Sequence, residues 1–206
     1  MNKALKYVGI TFGIGILLGI VTSFGQTYLP APFTQLANSY SIWLLFSFIV
    51  GYILKSYKMT TIASAGVLVQ YLAILFYYVA SAIRFDMSLT VGNLLSANMI
   101  WIIGGTLAGP IASLAGLAVA RKSKHLPASV GFVGSLFLSE ALYQFILLGY
   151  VAEGVVFSLV GFAFLLLSYY KVKYPLAKTL LSTAALTVLM FIGYAYLFPF
   201  VYLSFS

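Results

Sequence analysis

The sequence predicts an all-α fold, a polytopic transmembrane helix bundle of about seven spans, and three observations predict it. Hydrophobic residues make up 63% of the 206-residue chain and charged residues 7%, a balance suited to lipid rather than water. The apolar residues gather in seven long runs. The basic residues fall in small groups between alternate runs. At roughly 20 residues per span, the length leaves no room for a soluble domain beside the helices, so residues 1–206 read as one integral-membrane domain.

The runs cover about residues 7–24, 41–54, 60–82, 90–120, 127–151, 154–170 and 179–203. The first begins MNKALKYVGITFGIGILLGIVTSF, with the Lys-then-apolar look of a signal peptide. Its apolar stretch is too long for a signal core and no A-x-A site follows, so it reads as a retained helix. The second is short and borrows Asn38 to Tyr40 at its outer end. The third runs between Lys58 and Arg84. The fourth opens with SLTVGNLLSAN, which leaves residues 88–98 open as an interfacial or re-entrant piece or as part of the span. The fifth, SVGFVGSLFLSEALYQFILLGYV, carries Glu140 in its middle; the sixth is bounded by Glu153 and Lys171, and the seventh follows Lys178.

Charge sets the expected orientation. Lys3, Lys6, Lys55, Lys58, Arg121, Lys122, Lys124, Lys171, Lys173 and Lys178 all fall on one side of a seven-span chain, leaving Arg84 with Asp86 and Glu153 on the other. The positive-inside rule then places the N-terminus inside and the C-terminus outside, in a bacterial plasma membrane. Tyrosines and tryptophans such as Tyr28, Trp43, Trp101, Tyr57 and Tyr170 gather towards the run ends, as an interfacial aromatic belt requires.

The net charge of +8 does not imply nucleic-acid binding, because the cations form no continuous basic face. There is no cysteine, hence no disulfide or thiolate metal site. The single histidine, His125, and the single aspartate, Asp86, both lie in loops. Intramembrane serine or aspartyl protease chemistry therefore has no partners, and no zinc, P-loop or dinucleotide motif appears. An enzyme is not expected, nor a metal or cofactor.

Small residues at four-residue spacing carry helix packing where lipid removes the hydrophobic drive. The first span has Gly15 and Gly19, with Gly13 nearby. The fourth has Gly105, Gly109 and Ser113 on one line, Ala112, Gly116 and Ala120 on another, and Pro110 between. This makes the fourth span the candidate for the centre of the bundle.

Polar residues at membrane depth mark the candidate site. Glu140, Tyr143 and Gln144 share a helix face at i, i+3 and i+4, and Gln70, Tyr77, Ser81 and Arg84 form a stripe on the third span. At 1.5 Å per residue from the cation-rich ends, Glu140 is roughly 20 Å deep, Gln70 about 15 Å, Tyr77 about 26 Å and the GGTLAG stretch about 18–26 Å. Arg84, near 36 Å by the same count, is too far out to pair with Glu140. An ionised carboxylate buried without a partner costs several kcal/mol. Glu140 is then either protonated, donating to a carbonyl, to Gln70 or to a tyrosine, or ionised against a bound cation. An intramembrane acid is a functional candidate by default, with a purely structural role as the alternative. The expected ligand-binding set is Glu140, Gln144, Tyr143, Gln70, Tyr77, Gly105 and Gly109.

Several segments together are familiar: LANSYSIWLLFSFIVGYIL at 36–54, FYY at 76–78, WIIGGTLAGPIASLAGLAVAR at 101–121 and FLSEALY at 137–143. Over roughly residues 25–150 they resemble an uncharacterised family of small bacterial multi-pass membrane proteins, a domain of unknown function. That resemblance implies a bacterial inner membrane and no assigned activity. In size and in the glycine-proline-rich helix the chain is also similar to the substrate-binding subunits of energy-coupling factor vitamin transporters. The reading that follows is a protein binding or transporting a small solute or a proton around Glu140, with membrane lipids as partners. The alternative is a non-transporting accessory, assembly or sensor protein acting through the outer loop 25–39 and the basic loops. Oligomeric state and protein partners are not legible in the sequence. A reporter fused after Ser206 is expected to read external, and one placed after Lys124 cytoplasmic; the reverse pattern would overturn the orientation.

Overall fold

The structure is a computed structural model that describes residues 2–197. It is helical throughout, with short connections: α1 (Lys3–Tyr28), α2 (Phe33–Ala37), α3 (Tyr40–Ile53), α4 (Met59–Phe85), α5 (Val91–Ala120), α6 (Leu126–Leu142), α7 (Val151–Val172) and α8 (Leu176–Ile192). Two of the helices change pitch at their ends. Residues Tyr143–Leu148 continue α6, and Gly193–Leu197 continue α8, as single π-helical turns.

Seven helical segments among the described residues are long and apolar enough to cross a membrane: Lys3–Tyr28, Phe33–Ile53, Met59–Phe85, Asn98–Ala120, Leu126–Leu148, Val151–Val172 and Leu176–Tyr196. The seven runs of the sequence are thus seven helical spans. The C-terminal part of the seventh, beyond residue 197, lies outside the described residues. The stretch left open at 88–98 joins α5, which is helical from Val91 onwards. Thirty residues of α-helix reach about 45 Å, so the first turns of α5 extend past a hydrocarbon core about 30 Å thick.

The second span differs most from expectation. It is two helices: α2 has five residues and α3 has 14, with Asn38 and Ser39 between them. At 14 residues, α3 is about 21 Å long and stops short of crossing. Its N-terminus therefore begins within the bundle, at the depth the sequence assigns to Glu140.

The helices form two lobes. In one, α1 packs along α4, and α3 and α4 pack on α5; in the other, α6 packs on α7 and α8. The lobes meet through α5 and α6, α3 and α6, and α2 and α7. One buried cluster, including Leu18, Trp43, Val50, Val69 and Leu117, fills the first lobe. Another, including Phe48, Val119, Val130, Phe137 and Phe157, bridges to the second.

The expected central role of the fourth span agrees with this packing, since α5 touches α3, α4 and α6. Its glycines let backbones meet: a Cβ at Gly116 would stand 1.9 Å from the carbonyl oxygen of Phe48 in α3, and one at Gly66 of α4 would stand 2.3 Å from the carbonyl oxygen of Gly109. Nothing but hydrogen fits at either position. The cation-bearing loops come together at one end, where Tyr57 donates to the Lys3 carbonyl and Arg121 donates to the Lys55 carbonyl. At the other end Arg84 donates to the Ser23 carbonyl at 2.6 Å and to its hydroxyl at 2.7 Å, with its guanidinium over the Phe24 and Phe85 rings.

Backbone contact at Gly116 makes it a sensitive position. Gly116→Val is expected to lower the thermal unfolding midpoint in detergent sharply, by about 1–3 kcal/mol of overpacking or more. Gly13→Ala, where a Cβ meets nothing within 4 Å, is expected to leave the midpoint unchanged or slightly raised.

Candidate functional site

The site begins with a helix terminus. The first N–H groups of any α-helix lack intrahelical acceptors, and at membrane depth no water replaces them. Ser39, in extended conformation, caps α3 through its hydroxyl, which accepts from Ile42 N at 3.1 Å; its carbonyl accepts from Trp43 N at 3.1 Å. Two further free donors, the N–H groups of Tyr40 and Ser41, are taken by Glu140 from α6. Its Oε1 accepts from Tyr40 N at 3.0 Å and its Oε2 from Ser41 N at 3.3 Å. The Ser41 hydroxyl donates to the same Oε2 at 2.5 Å, and Tyr194 of the α8 π turn lies near the same carboxyl.

A carboxylate offers about four acceptor positions, and here three donors meet them, with Tyr194 close by. Both oxygens accept from backbone N–H groups, which can only donate. The positive end of a helix dipole also lies against the group. Sequence reasoning left a proton or a bound cation as the ways to neutralise Glu140. The structure supplies a third, the N-terminus of α3, invisible in sequence because residues 40 and 140 are a hundred positions apart.

The other expected site residues divide into two groups. Tyr143 and Gln144 stay beside Glu140. The Tyr143 ring lies 5.6 Å from that of Tyr194, and Gln144 is buried with its Oε1 lacking a hydrogen-bond partner. Gln70, Tyr77, Gly105 and Gly109 lie on the far side of α3. Gln70 Nε2 donates to the Trp43 carbonyl and to the Ser47 hydroxyl, each at 2.8 Å. A Cβ on Gly105 would stand 2.8 Å from Gln70 Cβ, so these glycines make room for Gln70. Tyr77 turns towards α1, donating to Gln26 Oε1 at 2.5 Å with its ring edge-on to Trp43. α3 stands between the two groups.

Sequence reasoning missed Tyr40, Ser41 and Tyr194. The polar triplet Ser39–Tyr40–Ser41 at the head of an unusually short apolar run could have pointed to the first two; Tyr194 carries no such signal. Tyr40 is held on every side. Its ring stacks on Trp101 with centroids 4.4 Å apart, and its hydroxyl donates to the Ile100 carbonyl at 3.1 Å. Gly104 accommodates it, since a Cβ there would lie 2.1 Å from the phenol oxygen.

Beside these groups runs an apolar groove of about 410 Å³ between the lobes, lined by Tyr40, Leu44, Gly104 and Ala108 on one side and by Phe132, Leu136, Met190 and Tyr194 on the other. Its polar end is formed by the two tyrosines that contact Glu140. Among the described residues, no group of three or more His, Cys, Asp or Glu side chains could hold a metal ion.

Comparison with known proteins adds one result. Residues 1–200 match the family described as a family of unknown function (DUF6518). No curated protein and no solved structure matches the chain.

The Glu140 clasp has a local signature. Glu140→Gln keeps one acceptor oxygen and replaces the other with an NH2 donor that cannot accept from a backbone N–H, so hydrogen exchange at the Tyr40 and Ser41 amides should accelerate while the last turns of α3 stay protected. Ser41→Ala should cost about 1.5–3 kcal/mol, the range for a hydrogen bond to a charged group, measured by chemical unfolding in micelles.

Proposed function

We propose, on the premise that the chain belongs to this family of unknown function, that it is a membrane-embedded binding protein for a small, largely apolar solute. The solute enters from the lipid between α5 and α8 and lies in the groove against Tyr40 and Tyr194. The observation that carries this reading is the coincidence of that groove with the Glu140 clasp: an apolar cleft of about 410 Å³ ends at Tyr40, whose backbone the carboxylate holds, and at Tyr194 beside it. Pockets of roughly 300–1,000 Å³ with mainly apolar walls and a few convergent polar groups are the usual form of a ligand site.

In this reading Glu140 orients rather than binds. Both its oxygens accept from Tyr40 and Ser41, and Tyr194 lies beside them, so a ligand meets the phenol groups and aromatic faces. The apolar walls favour a lipophilic molecule over a proton or a metal ion, because a desolvated ion there would lack compensating ligands. Gln70, Tyr77, Gly105 and Gly109 support the site from behind α3.

The test is a thermal-shift screen of purified protein against lipophilic metabolites, repeated with Ala108→Phe and Tyr194→Phe. Genuine ligands should raise the unfolding midpoint of the unaltered protein. Ala108→Phe, which fills the groove, should abolish the shift, and Tyr194→Phe should weaken binding by roughly three- to tenfold, the worth of one hydrogen bond. Hits that stabilise Ala108→Phe as well as the unaltered protein would remove the groove from consideration.

A further inference from the structure

A second groove opens at the cation-rich end, separated from the first by Ile111 and Phe132, which line both. It holds about 510 Å³. Its walls are apolar, among them Leu114, Ala118 and Ala128. At its mouth stand Arg121, Ser123 and His125, with the exposed Lys122 and Lys124 in the same loop. Ile111 lies ten residues before Arg121 on α5, so the groove runs about 15 Å inward, half of a hydrocarbon core about 30 Å thick. Its depth is that of one leaflet.

The mouth is polarised without compensation. None of the chain's three acids is near it: Asp86 and Glu153 lie at the opposite end, and Glu140 is clasped by α3. Arg121 is held in place by neutral acceptors. Its Nε and Nη2 donate to the Lys55 carbonyl at 2.9 and 2.7 Å, and Nη2 donates to the Tyr57 carbonyl at 2.7 Å. Those bonds fix the guanidinium plane and leave its charge unmatched. Its Nη1 makes no hydrogen bond among the described residues. A fixed guanidinium with a free pair of N–H groups is suited to a phosphate oxygen.

We propose that this groove is a binding site for an anionic phospholipid of the cation-rich leaflet. One acyl chain lies along α5 and α6, and the phosphodiester sits on Arg121 beside Ser123 and His125. Charge at the mouth and apolar walls one leaflet deep are the two halves of such a molecule. The site is independent of the solute groove, and neither proposal requires the other.

The experiment uses the full-length protein purified in neutral detergent. It is titrated with phosphatidylglycerol, with phosphatidylcholine of the same chains, or with glycerol 3-phosphate, and lipid retention by native mass spectrometry is read beside the thermal midpoint. Phosphatidylglycerol should be retained and stabilising, and the other two should not. Arg121→Gln should reduce retained phosphatidylglycerol roughly fivefold, the effect of one cation at an anionic surface. If that variant does not fold, Ala118→Phe serves in its place: it fills the groove with the charges intact and should reduce retention similarly. Equal retention of phosphatidylcholine, or full retention in both variants, would overturn the proposal. An equal shift with glycerol 3-phosphate alone would replace it with a soluble-phosphate site.

Discussion

A helix that starts inside a bilayer must place its first N–H groups on acceptors that belong to the protein, and the rest of this structure depends on how α3 does so. The Ser39 hydroxyl satisfies the Ile42 N–H and Glu140 satisfies those of Tyr40 and Ser41. Each unsatisfied group at that depth would cost several kcal/mol, so an uncapped α3 would have to extend outwards or slide. The carboxylate needs donors and the helix needs acceptors. Each removes the other's burial penalty.

Position follows from this clasp. Because α6 pins the head of α3, the two lobes are joined at the Glu140 clasp as well as through their packed apolar faces. Tyr40, the first residue of α3, is then directed between Trp101 and the Ile100 carbonyl, and one turn later the Trp43 carbonyl receives Gln70. Gln70, Ser47 and the Gly66 carbonyl continue the polar chain down the α3–α4 seam. The polar layer is therefore a set of struts through the first lobe, and the space that the struts leave open lies between the lobes, against Tyr40 and Tyr194.

Much of the architecture was legible because topology is written in residue order. Charges recurring between alternate apolar runs count the spans, and glycines four residues apart mark the face where α5 meets its neighbours. The break before α3 was legible only in part. A 14-residue run is visibly short, but whether it extends outwards or starts at depth depends on a partner a hundred residues away. The candidate site divided for the same reason. Helical spacing and depth grouped Glu140 with Tyr143 and Gln144, and Gln70 with Tyr77, but depth along the membrane normal says nothing about which helix stands between two groups. Tyr194 was not legible at all, being one tyrosine among sixteen whose role comes from the π turn that carries it.

An isolated acid in an apolar span therefore supports two readings that sequence cannot separate, and the count of donors against acceptors separates them. A carboxylate that binds a cation keeps lone pairs directed into open space. One that organises backbone has them filled by the protein. Glu140 matches the second kind, with two amides and the Ser41 hydroxyl donating to its oxygens and Tyr194 beside them. In the proposed binding role, recognition passes to the residues beside it. A phenol fixed on its hydroxyl, its ring face and its backbone N–H, as Tyr40 is, loses little conformational entropy when a ligand arrives, and preorganisation of that kind is what turns an apolar cleft into a selective one.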